Sequence, residues 1–64
     1  MMITVDLKII SSKDKRFTEG DLVQVHNWPI EPGVFIDNLT TAQSITFQPK
    51  EYIKWEENTK YEEV

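Results

Sequence analysis

His26 is the only histidine in a chain of 64 residues that lacks cysteine. Any reaction needing a conventional side-chain base must therefore use His26 or a carboxylate. A nucleophilic triad sets a hydroxyl or thiol beside such a base, and the thiol route is closed. Disulfides and thiolate metal sites are closed with it, and a single histidine cannot assemble a zinc site without a partner chain. Paired carboxylates do acid and base work where a pocket raises one of their pKa values. Glu56-Glu57 and Glu62-Glu63 read instead as solvated charge, because so short a chain has little depth for a pocket. Gly20 and Gly33 are the only glycines, which leaves no glycine-rich phosphate loop. The residue types point to no catalytic group, cofactor site or metal site, and His26 reads as a structural or exposed side chain.

The aromatic residues are the stronger lead. Seven of them stand in 64 positions, and tyrosine and tryptophan anchor interfaces through large buried area with a polar handle. Trp28, beside Pro29 at a strand end, and Trp55, near the acidic tail, are expected to be partly exposed. With His26, Phe35 and Tyr61 they make up the candidate partner-binding set. A core has an equal claim on the same residue types. A domain of this size hides only about 60% of the surface its unfolded chain exposes, so Trp28, Trp55, Phe17, Phe35 and Phe47 are also the first core candidates. Two tryptophans plugging the ends of a barrel would satisfy that reading.

The formal charge of −4 opposes a role in coating nucleic acid, since that affinity comes mainly from cations that displace counterions along the phosphates. Charge is unevenly spread. Residues 1 to 20 carry four cations and three anions, with Lys13, Lys15 and Arg16 close together, and residues 51 to 64 carry five glutamates and two lysines. A solvated loop and a solvated tail account for this; a polarised surface that steers a charged partner is the sharper alternative. Asn38-Leu39-Thr40 fits a glycosylation acceptor and Tyr61-Glu62-Glu63-Val64 a phosphotyrosine ligand, both read as chance matches. Asp6 interrupts the apolar run that a signal peptide would need, and no eighteen apolar residues follow one another. A cytoplasmic location without membrane contact is expected.

The elements that must position these side chains are short strands. Ile3 to Ile9 alternates apolar and polar residues throughout, the period of a half-buried strand. Ser11 to Arg16 is wholly polar and reads as a loop. Gly20-Asp21 forms a turn into a second strand, Leu22 to Trp28, where Val23 and Val25 share one face and Leu22, Gln24, His26 and Trp28 the other. Pro29 ends it. Pro32-Gly33 carries the residues of a type II turn and leads into Val34 to Asp37. Asn38 to Gln43 is a second polar connection, and Ser44 to Gln48 alternates again. For Lys50 to Glu57, proline at a first helical turn competes with the strand-like alternation of Ile53 and Trp55. A single turn over Pro49 to Tyr52, then a short fifth strand, is expected. The fold class is thus all-β or mainly β: a small curled antiparallel sheet or partly open SH3-like barrel of four to five short strands, with at most one short helical turn. Residues 1 to 57 form one domain, and residues 58 to 64 an acidic tail expected to fray. Exposed edge strands make homodimerisation by edge pairing an expectation.

The strand starting at residue 2, followed by Ile45-Thr46-Phe47-Gln48-Pro49 and Glu51-Tyr52-Ile53-Lys54-Trp55-Glu56-Glu57, resembles the small acidic β-rich proteins of phages and prophages of Gram-positive bacteria. Glu19-Gly20-Asp21-Leu22-Val23-Gln24-Val25 is similar to the entry strand of SH3-like barrels. The resemblance implies a bacterial host cytoplasm and an accessory role, and it transfers no site residue. The function expected is that of a non-enzymatic module binding a host or phage protein through a sheet edge or aromatic patch. The alternative is an acidic DNA mimic that inhibits a host DNA-handling enzyme.

Overall fold

A computed structural model describes residues 3–27 and 33–64. Five strands form one open antiparallel sheet: β1 (Ile3–Ser12), β2 (Leu22–Asn27), β3 (Val34–Asn38), β4 (Gln43–Phe47) and β5 (Thr59–Glu63), with helix α1 (Pro49–Glu57) between the last two. The spatial order is β4-β3-β2-β1-β5. The first four strands are a meander, and α1 then carries the chain from one edge of the sheet to the other. The mainly β, antiparallel fold expected from the strand periodicity is the fold observed.

Period-two alternation sorts the side chains. Leu7 and Ile9 of β1, Val23 and Val25 of β2, Val34 and Ile36 of β3, and Phe47 of β4 are buried on the inner face. Phe17, from the β1–β2 connection, and Trp55, from α1, complete this core. Trp55 sits at its centre, with ring centroids 5.2 Å from Phe17, 6.1 Å from Phe47, 5.8 Å from Tyr52 and 5.7 Å from Tyr61. Only 3% of it is exposed, which corrects the expectation of a surface tryptophan.

Residues 53 to 57 are also corrected, from strand to helix. Pro49 stands in the first turn of α1, where its missing N–H costs nothing. The Glu51 carboxylate accepts the Gln48 N–H at 2.9 Å, satisfying a donor that the helix end would otherwise leave open. Helical spacing then puts Tyr52 and Trp55 on one face, while Ile53 is exposed. The apparent alternation of Ile53 and Trp55 was coincidental. Asn58 closes the helix by donating its N–H to the carbonyls of Lys54 and Trp55.

The chain that follows is strand, where fraying was expected. β5 pairs with β1 from Leu7↔Glu63 to Ser12↔Thr59, across a bulge between Ile9 and Ser11. Charge did not prevent this, because Thr59 and Tyr61 face inward while Lys60 and Glu62 face outward. Strand β1 accordingly runs on through Ser11 and Ser12, which were expected to lie in the loop. The Ser12 and Thr59 hydroxyls share a hydrogen bond of 2.7 Å.

The β1–β2 connection is pinned by a buried polar pair. The Asp21 carboxylate accepts the Thr18 N–H at 2.9 Å and the Asn38 side-chain amide at 2.8 Å. Asn38, expected in a polar connection, is the last residue of β3 and is fully buried. Its amide also donates to the Arg16 carbonyl, and its side-chain oxygen accepts the N–H groups of Thr40 and Thr41. One side chain thereby fixes two loops and holds Phe17 over the core. Gly20 takes the positive φ of 89° required at the end of the first loop. At Gly33, with φ of 110°, a Cβ would stand 3.0 Å from the Phe47 carbonyl oxygen, so any other residue would add backbone strain and a tight contact.

Removing either member of the buried pair leaves its partner unsatisfied, at about 1–3 kcal/mol. A domain of this length has a total stability of roughly 3–10 kcal/mol by the per-residue rule. Asp21→Ala and Asn38→Ala should each lower the urea midpoint by a cost of that size, and the double variant should lose clearly less than the sum. Additive losses in urea denaturation would show that the pair does not act as a unit.

Candidate functional site

The face of the sheet opposite the core carries the organised polar groups. Strand pairing places Thr4 opposite His26 and His26 opposite Phe35, with Phe35 opposite Thr46. The adjoining row runs from Asp6 through Gln24 and Asp37 to Ser44. His26, in the first row, reaches across to Asp37 in the second. Its Nε2 is 3.0 Å from Asp37 Oδ2, and its Nδ1 is 3.1 Å from Thr4 Oγ1.

Electrostatics assign the protons. The Asp37 pKa is held below the usual carboxylate range, first by the hydroxyl of Ser44, which donates to Oδ1 at 2.7 Å, and also by His26. An ionised carboxylate only accepts, so Nε2 of His26 carries hydrogen and donates to it. In the neutral imidazole, Nδ1 then accepts the Thr4 hydroxyl proton. Hydroxyl, imidazole and carboxylate therefore stand in the order used for acyl transfer. Here the order lies across three adjacent strands of a pleated surface. The clefts at Lys13, Arg16 and Lys54, and at Val5, Tyr52 and Tyr61, are lined by other residues. These hydrogen bonds tie His26 to Thr4 and Asp37, and Asp37 to Ser44, on the face that also carries Phe35.

Phe35 is 43% exposed. That exposure corrects the expectation that Phe35 is a core residue. Because β3 alternates from the buried Val34 and Ile36, Phe35 has to point outward. Leu22 and Leu39 are likewise exposed, and the Leu39 N–H donates to the Leu22 carbonyl at 2.8 Å, at the opposite end of β2 from His26.

The candidate set therefore divides between two faces. His26 and Phe35 come together on the outer face. Trp55 and Tyr61 stack at 5.7 Å on the inner one, and Trp28 lies outside the described residues. Tyr61 is half-buried, and its hydroxyl donates to Glu56 Oε2 at 2.9 Å. Burial and then Glu56 push its pKa up; Tyr52 is pushed up by burial first, with Glu56 adding to it. Reading the sequence strand by strand missed Thr4, Asp37 and Ser44. The signal for Asp37 was its place two residues beyond Phe35, hence on the same face.

No metal-holding group of three or more histidine or acidic side chains occurs among the described residues. No described helix is long and apolar enough to cross a membrane.

Two titrations follow. Ser44→Ala should raise the Asp37 pKa toward its ordinary value of about 4, read from the carboxyl carbon resonance. Since the folded value is the lower one, the stability that Asp37 contributes is present above the ordinary range and is lost as pH falls through the folded pKa. An unchanged Asp37 titration would remove Ser44 as the leading cause. For Tyr52 the sign reverses. Its contribution is complete below about pH 10 and is lost as pH rises toward the raised folded value, so phenolate absorbance should lag behind that of free tyrosine until the protein unfolds. In comparisons with protein-family models, curated proteins and solved structures, the chain matches none, and the site rests on its own geometry.

Proposed function

We propose that this chain is a non-enzymatic interaction module that meets a protein partner through the outer face of its sheet, centred on Phe35 and His26. The observation that carries the reading is an exposed phenylalanine mid-strand, flanked by a histidine and a carboxylate whose rotamers are already fixed by hydrogen bonds. A preorganised polar rim around an aromatic anchor is the arrangement that gives affinity at low ordering cost. A standard interface takes about 800 Å² per partner. Set against a total accessible surface of 4631 Å², that amounts to much of this face. Strand β4 is a sheet edge beside the patch, so a partner can extend the contact by strand addition. An accessory role in a phage or prophage, binding a host or phage protein, is the biological setting in which we place this module.

The acidic-mimic alternative needs carboxylates in a row. On β5, Glu62 and Glu63 alternate to opposite faces of the sheet, and Glu56 is engaged with Tyr61. That dispersal favours the aromatic face over mimicry.

The test is affinity capture from a host lysate at low and high salt, with Phe35→Ala as the control. Loss of the ring costs the fold only roughly 0.2–1 kcal/mol of cross-strand pairing, so the variant stays folded by circular dichroism. The proposal expects a partner retained at high salt and lost with Phe35→Ala. Capture of DNA-handling proteins at low salt only, unaffected by the variant, would favour mimicry.

A further inference from the structure

A cleft of about 410 Å³ opens between the β1–β2 connection and α1, and the residues that line it include Lys13, Asp14, Arg16, Glu51, Lys54 and Trp55. It lies away from Phe35 and His26 and has no part in the reading above. Its walls are fixed. The Lys13 N–H donates to the Asn58 carbonyl at 3.0 Å, tying the loop to the end of the helix. Arg16 lies with its guanidinium carbon 5.0 Å from the centroid of the Phe47 ring. Asp14 holds the same guanidinium through Nε at 3.0 Å and Nη2 at 2.7 Å.

That clamp uses two of the five N–H donors of the guanidinium, leaving three for a ligand. Among the described residues the ion pairs are Arg16 with Asp14 and His26 with Asp37, so neither Lys13 nor Lys54 is neutralised by a carboxylate in contact. The Trp55 Nε1–H is the one buried side-chain polar atom among the described residues without a hydrogen-bond partner. An orphaned buried donor is costly, and this one belongs to a residue that lines the cleft. The basic side chains at residues 13 and 16 and that of Lys54, distant in the chain, thus converge on an otherwise acidic molecule.

We propose that this cleft binds one carboxylate of a partner polypeptide, supplied by an acidic side chain. The charge balance selects that ligand. Lys13, Arg16 and Lys54 give three positive charges, and Asp14 and Glu51 give two negative ones, so the net of one matches a monoanion rather than a phosphate dianion. Longer polyanions meet the repulsion of a chain whose net charge is −4. Arg16, stacked on Phe47 and clamped by Asp14, is preorganised to present its remaining donors, and the two lysines supply the attraction that brings the carboxylate in.

The test is a titration of the isotopically labelled full chain, following the assigned Trp55 indole N–H and the Lys13, Arg16 and Asn58 amides. The probes are an end-capped alanine pentapeptide with one central glutamate, the same peptide with glutamine, and inorganic phosphate. Saturable shifts with the glutamate peptide only are expected, and Lys13→Ala and Lys54→Ala should each weaken binding about two- to fivefold, the range for one exposed ion pair. Both lysines are exposed, so these variants stay folded; Phe35→Ala should leave the titration unchanged. Equal shifts with the glutamine peptide, no shifts up to about ten millimolar, no weakening in either lysine variant, or tighter binding of phosphate would each overturn the proposal.

Discussion

Every element outside the β1–β2–β3 centre of the sheet depends on the burial of Trp55. Its indole touches Phe17 from a loop, Phe47 from β4, Tyr52 from its own helix and Tyr61 from β5. An open five-stranded sheet has two faces and two edges, and a chain of this length can cover only one face. The aromatic cluster decides which one. It draws α1 across the sheet and thereby delivers β5 to β1 on the far edge. Truncating such a side chain costs about 3–5 kcal/mol, comparable to all the stability available to a domain this small.

Sealing one face determines what the other can do. With Leu7, Ile9, Val23, Val25, Val34 and Ile36 turned inward, the outer face receives Thr4, His26, Phe35, Asp37 and Ser44 by alternation alone. Their hydrogen bonds arise because neighbouring strands bring each of them opposite or diagonal to a complementary group. The Asp21 and Asn38 pair plays the matching role at the loop end, where backbone groups of the β1–β2 and β3–β4 connections would otherwise lack partners. It also orders the segment that carries Lys13 and Arg16 to the rim of α1.

Strands β1 to β4 were legible because each alternates or is bounded by glycine and proline, and Val23 and Val25 were already grouped on one face. What escaped the sequence reading has physical causes. Glu51 acts as a capping group only once Gln48 is known to precede a helix, so the alternation of Ile53 and Trp55 looked equally persuasive. The charge of Lys60, Glu62 and Glu63 masked a strand in which only Thr59 and Tyr61 are buried or half-buried. Asn38 resembles any turn asparagine until Asp21, 17 positions away, is seen to need its amide. Of the candidate partner-binding residues, Phe35 and His26 share a face because they stand opposite each other on neighbouring strands. Trp55 does not, because the helix turns it inward.

The most direct measurement of this two-faced arrangement is paramagnetic relaxation from an inert soluble agent, read at assigned side-chain resonances of the free protein. The account predicts strong broadening for Phe35, Leu22 and Leu39, together with protection of Phe17, Phe47 and the Trp55 indole. Protection of Phe35 equal to that of Trp55 would mean that the outer face is already covered. Broadening of Trp55 equal to that of Phe35 would mean that the inner face is not sealed, and either result would contradict the account.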